Sequence, residues 1–262
     1  MDILTKIITD KRIEVNLRKQ LVPTKQLEQS ILFERKSISL AQRLKTSTSG
    51  IIAEHKRRSP SKQVINQDLN IFDVAKGYEN AGVCGMSVLT DGKYFGGSLD
   101  DLLTARASCD LPLLRKEFII DSYQILEAKA YGADVILLIA AILSRNEIKQ
   151  FSEFAKSLDL DVLLEVHNEE ELHKSIMTSI DMLGVNNRNL KTFGVSLETS
   201  KQLSELIPKD FIKVSESGIS SVNAIKSLKE YGFKGFLIGE NFMKTNNAGE
   251  SAKIFIEQLN DQ

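Results

Sequence analysis

The chain has 262 residues, 42% hydrophobic and 26% charged, with a net charge of -1 at neutral pH. This is an ordinary composition for a globular protein long enough to bury a large core, and the balanced charge gives no general pull toward nucleic acid or a membrane surface. Cys84 and Cys109 lack CxxC spacing, His55, His167 and His173 do not cluster, and the longest apolar run, 135–143, is too short to span a bilayer, so no disulfide framework, metal site or transmembrane segment is expected.

Without a signal-peptide core at its start, the chain reads as cytoplasmic. The first 50 residues predict helical segments over about 3–18 and 24–33, which would cover the bottom or one rim of whatever follows.

The segment Ile51-Ile-Ala-Glu54-His-Lys56-Arg-Arg-Ser59-Pro-Ser61 runs from a short apolar strand straight into charge. Ile52, Glu54 and Lys56 share one face because side chains in a strand repeat every second residue. Carboxylate and ammonium groups on an inward face must be paired, solvated or used. Lys56, Arg57 and Arg58 also form a local basic patch suited to a small anion.

Further strands are predicted over 84–89, 112–116, 134–139, 161–165, 181–186, 211–215 and 235–239, with amphipathic segments between them. Phe72, Ala75, Tyr78 and Glu79 show the helical spacing before the second strand, and Ile148, Phe151, Phe154 and Ala155 after the fourth. Gly82, Gly132 and Gly232 fall where a helix must stop and turn into the next strand. Eight strand–helix units with strands apolar on both faces predict a parallel sheet closed into a (β/α)8 TIM barrel. The doubly wound open sheet is the competing architecture, weakened by the absence of a GxGxxG fingerprint after the first strand. One barrel domain over 1–262 is expected, with 1–49 as its helical extension.

Chemistry in such a barrel sits at the C-terminal strand ends. The residues expected to face inward there are Glu54 and Lys56 (strand one), Lys116 and Phe118 (three), Glu165 (five), Gly184, Asn186 and Arg188 (six), and Glu216 (seven). Each has an ordinary explanation: Lys116 as an exposed loop lysine, Glu165 as a helix N-terminal charge ahead of Asn168, Glu216 as a cap for a helix beginning near Ser220. Six ionisable groups at one height in five units are better explained as an active site. After strands seven and eight, Ser215-Glu-Ser217-Gly218 and Leu237-Ile-Gly239-Glu240 place small residues where these barrels bind phosphate. Phe95 and Phe118 lie beyond the strand ends, and with Leu137 and Leu190 they suit a flat apolar ring.

Seven motifs carry a resemblance: Ile-Ile-Ala-Glu54-His-Lys56-Arg-Arg-Ser59-Pro-Ser, Ser-Val-Leu-Thr-Asp-Gly-Lys-Tyr-Phe95-Gly-Gly-Ser, Leu-Arg-Lys116-Glu-Phe118-Ile, Leu-Leu-Glu165-Val, Gly-Val-Asn186-Asn-Arg188-Asn-Leu190, Ser-Glu216-Ser217-Gly218-Ile and Phe-Leu-Ile-Gly239. In this order, over essentially the whole chain, they resemble the indole-3-glycerol-phosphate synthase family of tryptophan biosynthesis.

The resemblance implies a cofactor-free ring closure of 1-(2-carboxyphenylamino)-1-deoxyribulose 5-phosphate, with loss of carbon dioxide and water. Lys116 then matches the general acid, and a lysine among other cations and apolar groups is expected to have a lowered pKa. Glu165 matches a second catalytic residue on the opposite side, and Lys56 one that holds the substrate carboxylate and could donate a proton in the later step. Glu54 would orient Lys56, while Asn186, Arg188 and Glu216 would hold sugar hydroxyls and the lysine network. Phe95, Phe118, Leu137 and Leu190 would clamp the anthranilate ring; Ser217, Gly218 and Gly239 would bind phosphate, with Ser59, Leu237 and Glu240 also at the substrate.

Gln63, Asn189 and Glu240 depart from the family pattern, and Glu240 puts a carboxylate where a serine usually helps the phosphate, which is tolerable only if its side chain turns outward. The partner is expected to be a small phosphorylated molecule, the protein itself a monomer or weakly associated with other enzymes of the pathway. Another phosphosugar barrel enzyme, such as phosphoribosylanthranilate isomerase, or a non-catalytic phosphate-binding barrel are the alternatives.

Overall fold

The computed structural model describes residues 3–190 and 192–261. Eight parallel strands close in sequence order, β1 beside β8: β1 Ile51–His55, β2 Gly85–Leu89, β3 Leu113–Lys116, β4 Val135–Ile139, β5 Asp161–Val166, β6 Met182–Asn186, β7 Ile212–Glu216 and β8 Phe233–Ile238. The helices in chain order are α1 Ile3–Leu21, α2 Thr24–Glu28, α3 Leu40–Thr46, α4 Ile71–Asn80, α5 Gly92–Phe95, α6 Leu99–Ser108, α7 Ser122–Ala130, α8 Arg145–Ser157, α9 Glu169–Ser175, α10 Glu198–Ser204, α11 Val222–Glu230, α12 Glu240–Met243 and α13 Ala248–Asn260. The TIM barrel expected from the strand count is the fold.

Alternation along the strands splits the core in two. Ile52, Leu114, Val135, Leu137, Leu163, Met182, Val214 and Leu237 fill the barrel interior, while Ile51, Ala53, Met86, Val88, Leu138, Leu164, Val185 and Phe236 pack outward against the helix layer. Each of these side chains larger than alanine contributes roughly 1.5–3 kcal/mol when removed from water. At the bottom, α3 inserts Leu40, Ala41 and Leu44 into the interior cluster. No expectation covered this helix, because its apolar residues close the barrel end rather than follow a strand. At the helix-to-strand turns, Gly82, Gly132 and Gly232 adopt left-handed φ of 74°, 85° and 82°.

The N-terminal extension differs from the expectation in two ways. The segment expected as one helix over 24–33 is helical only to Glu28; Ser30 then turns its hydroxyl to donate to the Ala130 carbonyl at 2.7 Å, docking the chain on the end of α7. The extension also reaches both ends of the barrel. Lys11 of α1 binds Asp91 and Glu117 above β2 and β3, and Asp161 at the start of β5 accepts from the Ser39 hydroxyl and the Ala41 N–H at 2.8 and 3.0 Å. Among the described residues no helix is long and apolar enough to cross a membrane.

Candidate active site

A cleft of about 340 Å³ opens at the C-terminal ends of the strands, and all seventeen residues singled out from the sequence line it. Strand geometry brings them there. Glu54, Lys116, Glu165 and Glu216 sit at or near the ends of β1, β3, β5 and β7, each on the inward parity of its strand.

Lys116 is the centre. Its Nζ lies 2.7 Å from Glu216 Oε2, 3.6 Å from Glu165 Oε2 and 4.0 Å from Glu54 Oε2. Glu54 turns its other oxygen to Lys56 Nζ at 2.7 Å. Burial by itself would depress the Lys116 ammonium, but Glu216, Glu165 and Glu54 outweigh it, and the lysine is held charged well above its ordinary range. This corrects the expected lowered pKa: the neighbours that count are carboxylates from three other strands, not the cations of the mouth. Burial is also the first influence on Glu54, opposed and overcome by Lys56 and Lys116, so its carboxyl titrates below the usual range. Glu216 goes the other way. Burial raises it to about 7, Lys116 resisting and the nearby Glu165 and Glu54 adding to the rise. Its Oε1 is buried without a hydrogen-bond partner.

Two glycines make room for these carboxylates. A Cβ at Gly184 would stand 2.4 Å from Glu216 Oε1, and one at Gly239 would stand 2.6 Å from Glu54 Oε1. The ordinary explanations of the carboxylates do not hold. Asn168 caps α9 by accepting from the Glu171 N–H, and Ser221 caps α11 by accepting from the Ala224 N–H, leaving Glu165 and Glu216 directed at Lys116.

The basic patch divides. Lys56 lines the cleft, whereas Arg57 grips Asp101 through two bonds of 2.6 and 2.8 Å and donates to the Gly96 carbonyl at 2.9 Å, and Arg58 donates to the carbonyls of Gly92 and Lys93 at 2.7 and 3.0 Å. These arginines fasten the loop after β1 to the loop after β2, so they do not form the anion site expected of them.

On one wall the rings of Phe95 and Phe118 are 5.9 Å apart, tilted by 44°, with Leu137 and Leu190 also in the cleft. On the other wall lie Ser217, Gly218, Gly239 and Glu240. Ser217 and Gly218 take successive φ of 66° and 78°, a conformation costly for serine and cheap for glycine. Asn187, which sequence reasoning passed over, holds this turn: its buried amide donates to Ser215 Oγ and to the carbonyls of Glu216 and Ser217 at 3.0, 3.0 and 3.1 Å. The one sequence signal for it is a second asparagine directly after β6. Asn186 accepts from the Arg188 N–H at 3.0 Å. Glu240 pairs with Lys62, Oε1 to Nζ 2.7 Å, and the pairing lowers its carboxyl. Ile3, Leu4 and Ile7 of α1 also line the cleft. The expectation left the bottom and one rim open for the extension, since apolar spacing shows that a helix packs but not where; α1 lies at the rim that carries the cleft.

No group of three or more His, Cys, Asp or Glu able to hold a metal ion occurs among the described residues. A cleft at the C-terminal mouth of a closed eight-stranded barrel, with a charged lysine among three carboxylates, defines an acid–base enzyme of the (β/α)8 class. The family model for indole-3-glycerol phosphate synthase matches residues 4–255. Indole-3-glycerol phosphate synthase of Bacteroides thetaiotaomicron is 48% identical over 258 residues, covering 98% of this chain and 99% of that protein; the one from Aliarcobacter butzleri is 42% identical over 262 residues, covering 98% and 100%. Thiamine phosphate pyrophosphorylase from Pyrococcus furiosus shares the fold, with a TM-score of 0.62 at 15% identity over 85% of this chain and 98% of that one. The chain belongs to the indole-3-glycerol phosphate synthase family.

Proposed function

We propose that this cleft closes the pyrrole ring of 1-(2-carboxyphenylamino)-1-deoxyribulose 5-phosphate, giving indole-3-glycerol phosphate, carbon dioxide and water. The observation that carries the reading is Lys116, a partly buried ammonium surrounded by three carboxylates between an aromatic wall and a wall of small residues.

The aniline nitrogen pushes electron density into its ring, so the ring carbon bearing the carboxylate attacks the ribulose ketone. A carbon–carbon bond forms and the ketone oxygen becomes an alkoxide. Lys116 delivers the proton that neutralises it; the ammonium is kept charged at rest, so the proton is in place when the far more basic alkoxide develops. Loss of carbon dioxide returns the electron pair to the ring and restores aromaticity. The new hydroxyl then takes up a proton and the nitrogen lone pair expels it as water; loss of a proton from the adjacent carbon balances that uptake and completes the indole.

Glu165, 3.6 Å from Lys116, is the residue we assign to proton removal, with Lys56 holding the substrate carboxylate before it leaves and Glu54 orienting Lys56. Glu216 keeps Lys116 aimed, and Asn186 and Arg188 face the sugar hydroxyls. Phe95, Phe118, Leu137 and Leu190 receive the anthranilate ring, and Ser217, Gly218 and Gly239 the phosphate, beside Ser59 and Leu237. Folding a flexible chain so that the ring carbon meets the ketone supplies much of the rate. Glu240 turns to Lys62, which lessens its repulsion of the phosphate. On this reading the protein works in the cytoplasm on a small phosphate ester, as a monomer or in weak association with neighbouring enzymes of tryptophan synthesis.

The test is to mix purified protein with the carboxyphenylamino-ribulose phosphate and follow indole fluorescence. Fluorescence growing with turnover is expected; a folded protein that binds the compound and releases no indole product refutes the reading.

A further inference from the structure

Helix α1 buries a stripe spaced four residues apart, Ile7, Lys11 and Val15, and the middle position of this apolar face is a lysine. Lys11 is 2% exposed, so its charge must be paired inside the protein. Its Nζ meets Glu14 Oε2 at 2.8 Å, Asp91 Oδ2 at 2.9 Å and Glu117 Oε1 at 3.1 Å. Glu14 belongs to α1 itself. Asp91 and Glu117 belong to the loops after β2 and β3, and both side chains are 1% exposed.

These two carboxylates each hold the backbone of an aromatic residue in the cleft. Asp91 Oδ1 accepts from the N–H groups of Tyr94 at 2.6 Å and Phe95 at 3.3 Å. Glu117 Oε1 accepts from the Phe118 N–H at 2.9 Å, and its Oε2 accepts from the Thr90 hydroxyl at 2.8 Å. One ammonium therefore bridges the two carboxylates that set Phe95 and Phe118 in their facing arrangement. The neighbouring Asp10 reinforces the link, accepting from Lys93 Nζ at 2.7 Å and from the Tyr94 hydroxyl. Without Lys11, Asp91 and Glu117 would lose the ammonium that joins them, Glu117 keeping only the longer approach of Arg115 at 3.7 Å, and the two loops would no longer be held at one spacing.

We propose that Lys11 is a positioning residue for the aromatic wall: the N-terminal helix sets the spacing of Phe95 and Phe118 through Asp91 and Glu117, and so tunes affinity for the aromatic half of the ligand. This rests on the reading of Phe95 and Phe118 as the ring site. A merely structural lysine would weaken the whole cleft; a positioning lysine weakens recognition of the ring alone.

The experiment measures binding of two probes by calorimetry, indole-3-glycerol phosphate and glycerol 3-phosphate, to the full chain and to Lys11→Met, Phe118→Ala and the double variant, with KM and kcat for each. Lys11→Met is expected to weaken the indole ligand about tenfold, to leave glycerol 3-phosphate within about twofold, and to act mainly on KM; in the Phe118→Ala background it should add less than about twofold, since residues acting through one another are not additive. Equal weakening of both probes, or full additivity with Phe118→Ala, overturns the proposal. If Phe118→Ala weakens the indole ligand while Lys11→Met does not, the ring site stands and Lys11 is excluded; if Phe118→Ala changes nothing, the ring site itself is wrong. Should Lys11→Met fail to fold, Lys11→Arg keeps the charge with altered geometry: a selective loss of indole affinity supports the proposal and unchanged affinity overturns it.

Discussion

Lys116 Nζ and Glu216 Oε2 meet at 2.7 Å across the barrel, from the ends of β3 and β7, strands that lie opposite each other in the closed sheet. Neither strand touches the other, so this pair exists only because the barrel closes. It places the ammonium at the centre of the mouth, within reach of Glu165 and Glu54 as well.

Glu216 is the member of this cluster whose charge changes near neutrality, at about 7. Ionised, it holds the ammonium; protonated, it loosens that hold. The dependence of kcat/KM on pH should therefore include an acid limb near pH 7 as Glu216 ionises, beside a contribution from His167, which lies 3.4 Å from Glu165 and is itself shifted upward. In Glu216→Gln that limb should disappear while kcat/KM falls by about 10- to 100-fold. An unchanged acid limb in the glutamine variant would assign it elsewhere.

Gly184 bears on the same carboxylate. Its φ is not left-handed, so alanine meets no backbone penalty there, yet the added methyl would stand 2.4 Å from Glu216 Oε1. Gly184→Ala should push Glu216 away from Lys116 and lower kcat on the order of tenfold or more, at an overpacking cost of about 1–3 kcal/mol in unfolding experiments. Wild-type kcat in the alanine variant would show that the contact is not required.

His55 makes a separate prediction about stability. It lies on the outward parity of β1, 1% exposed, and its Nε2 has no hydrogen-bond partner. Burial, with Arg57 beside it, depresses its pKa from 6.5 to about 4. The unfolded chain therefore takes up a proton at higher pH than the folded one, and stability from this residue is present above 6.5 and lost as pH falls toward 4. Glu216 shifts in the opposite direction, losing stability as pH rises from 4.5 to about 7, so a global pH–stability curve would mix the two. The clean measurement is the difference in unfolding free energy between the wild type and His55→Leu. Relative to the leucine variant, the wild type should lose about 2–3 kcal/mol between pH 6.5 and 4; a constant difference would contradict the account.

The Lys62–Glu240 pair is exposed and weak by itself, both side chains about half accessible. Its interest is its place beside the proposed phosphate wall. Glu240→Ser should remove a nearby negative charge and free Lys62, tightening glycerol 3-phosphate by about three- to tenfold at low salt, with the gain fading above about 0.5 M salt. Equal affinities at low salt would mean that Glu240 has no influence on the phosphate.

Much of this was legible in the sequence. Two-residue alternation in the strands gave the barrel and the inward parity of Glu54, Lys116, Glu165 and Glu216, and their common height gave the cleft. Opposition across the closed sheet was not legible. A linear reading put Lys116 among the cations of its mouth, when its neighbours are carboxylates from β1, β5 and β7, and the sign of its shift was therefore wrong. Arg57 and Arg58 were misread for a related reason: their partners, Asp101 and the carbonyls of 92–96, are far along the chain. Lys11 left the plainest unused signal, a lysine on a buried helical stripe.

Replacing Lys116 by methionine keeps an unbranched side chain one atom shorter and removes the proton, and it tests the central claim most directly. With the carboxyphenylamino-ribulose phosphate as substrate and indole fluorescence as readout, Lys116→Met should fold, bind the substrate and lose at least about 10³-fold in kcat. Turnover by Lys116→Met at the wild-type rate would contradict the account.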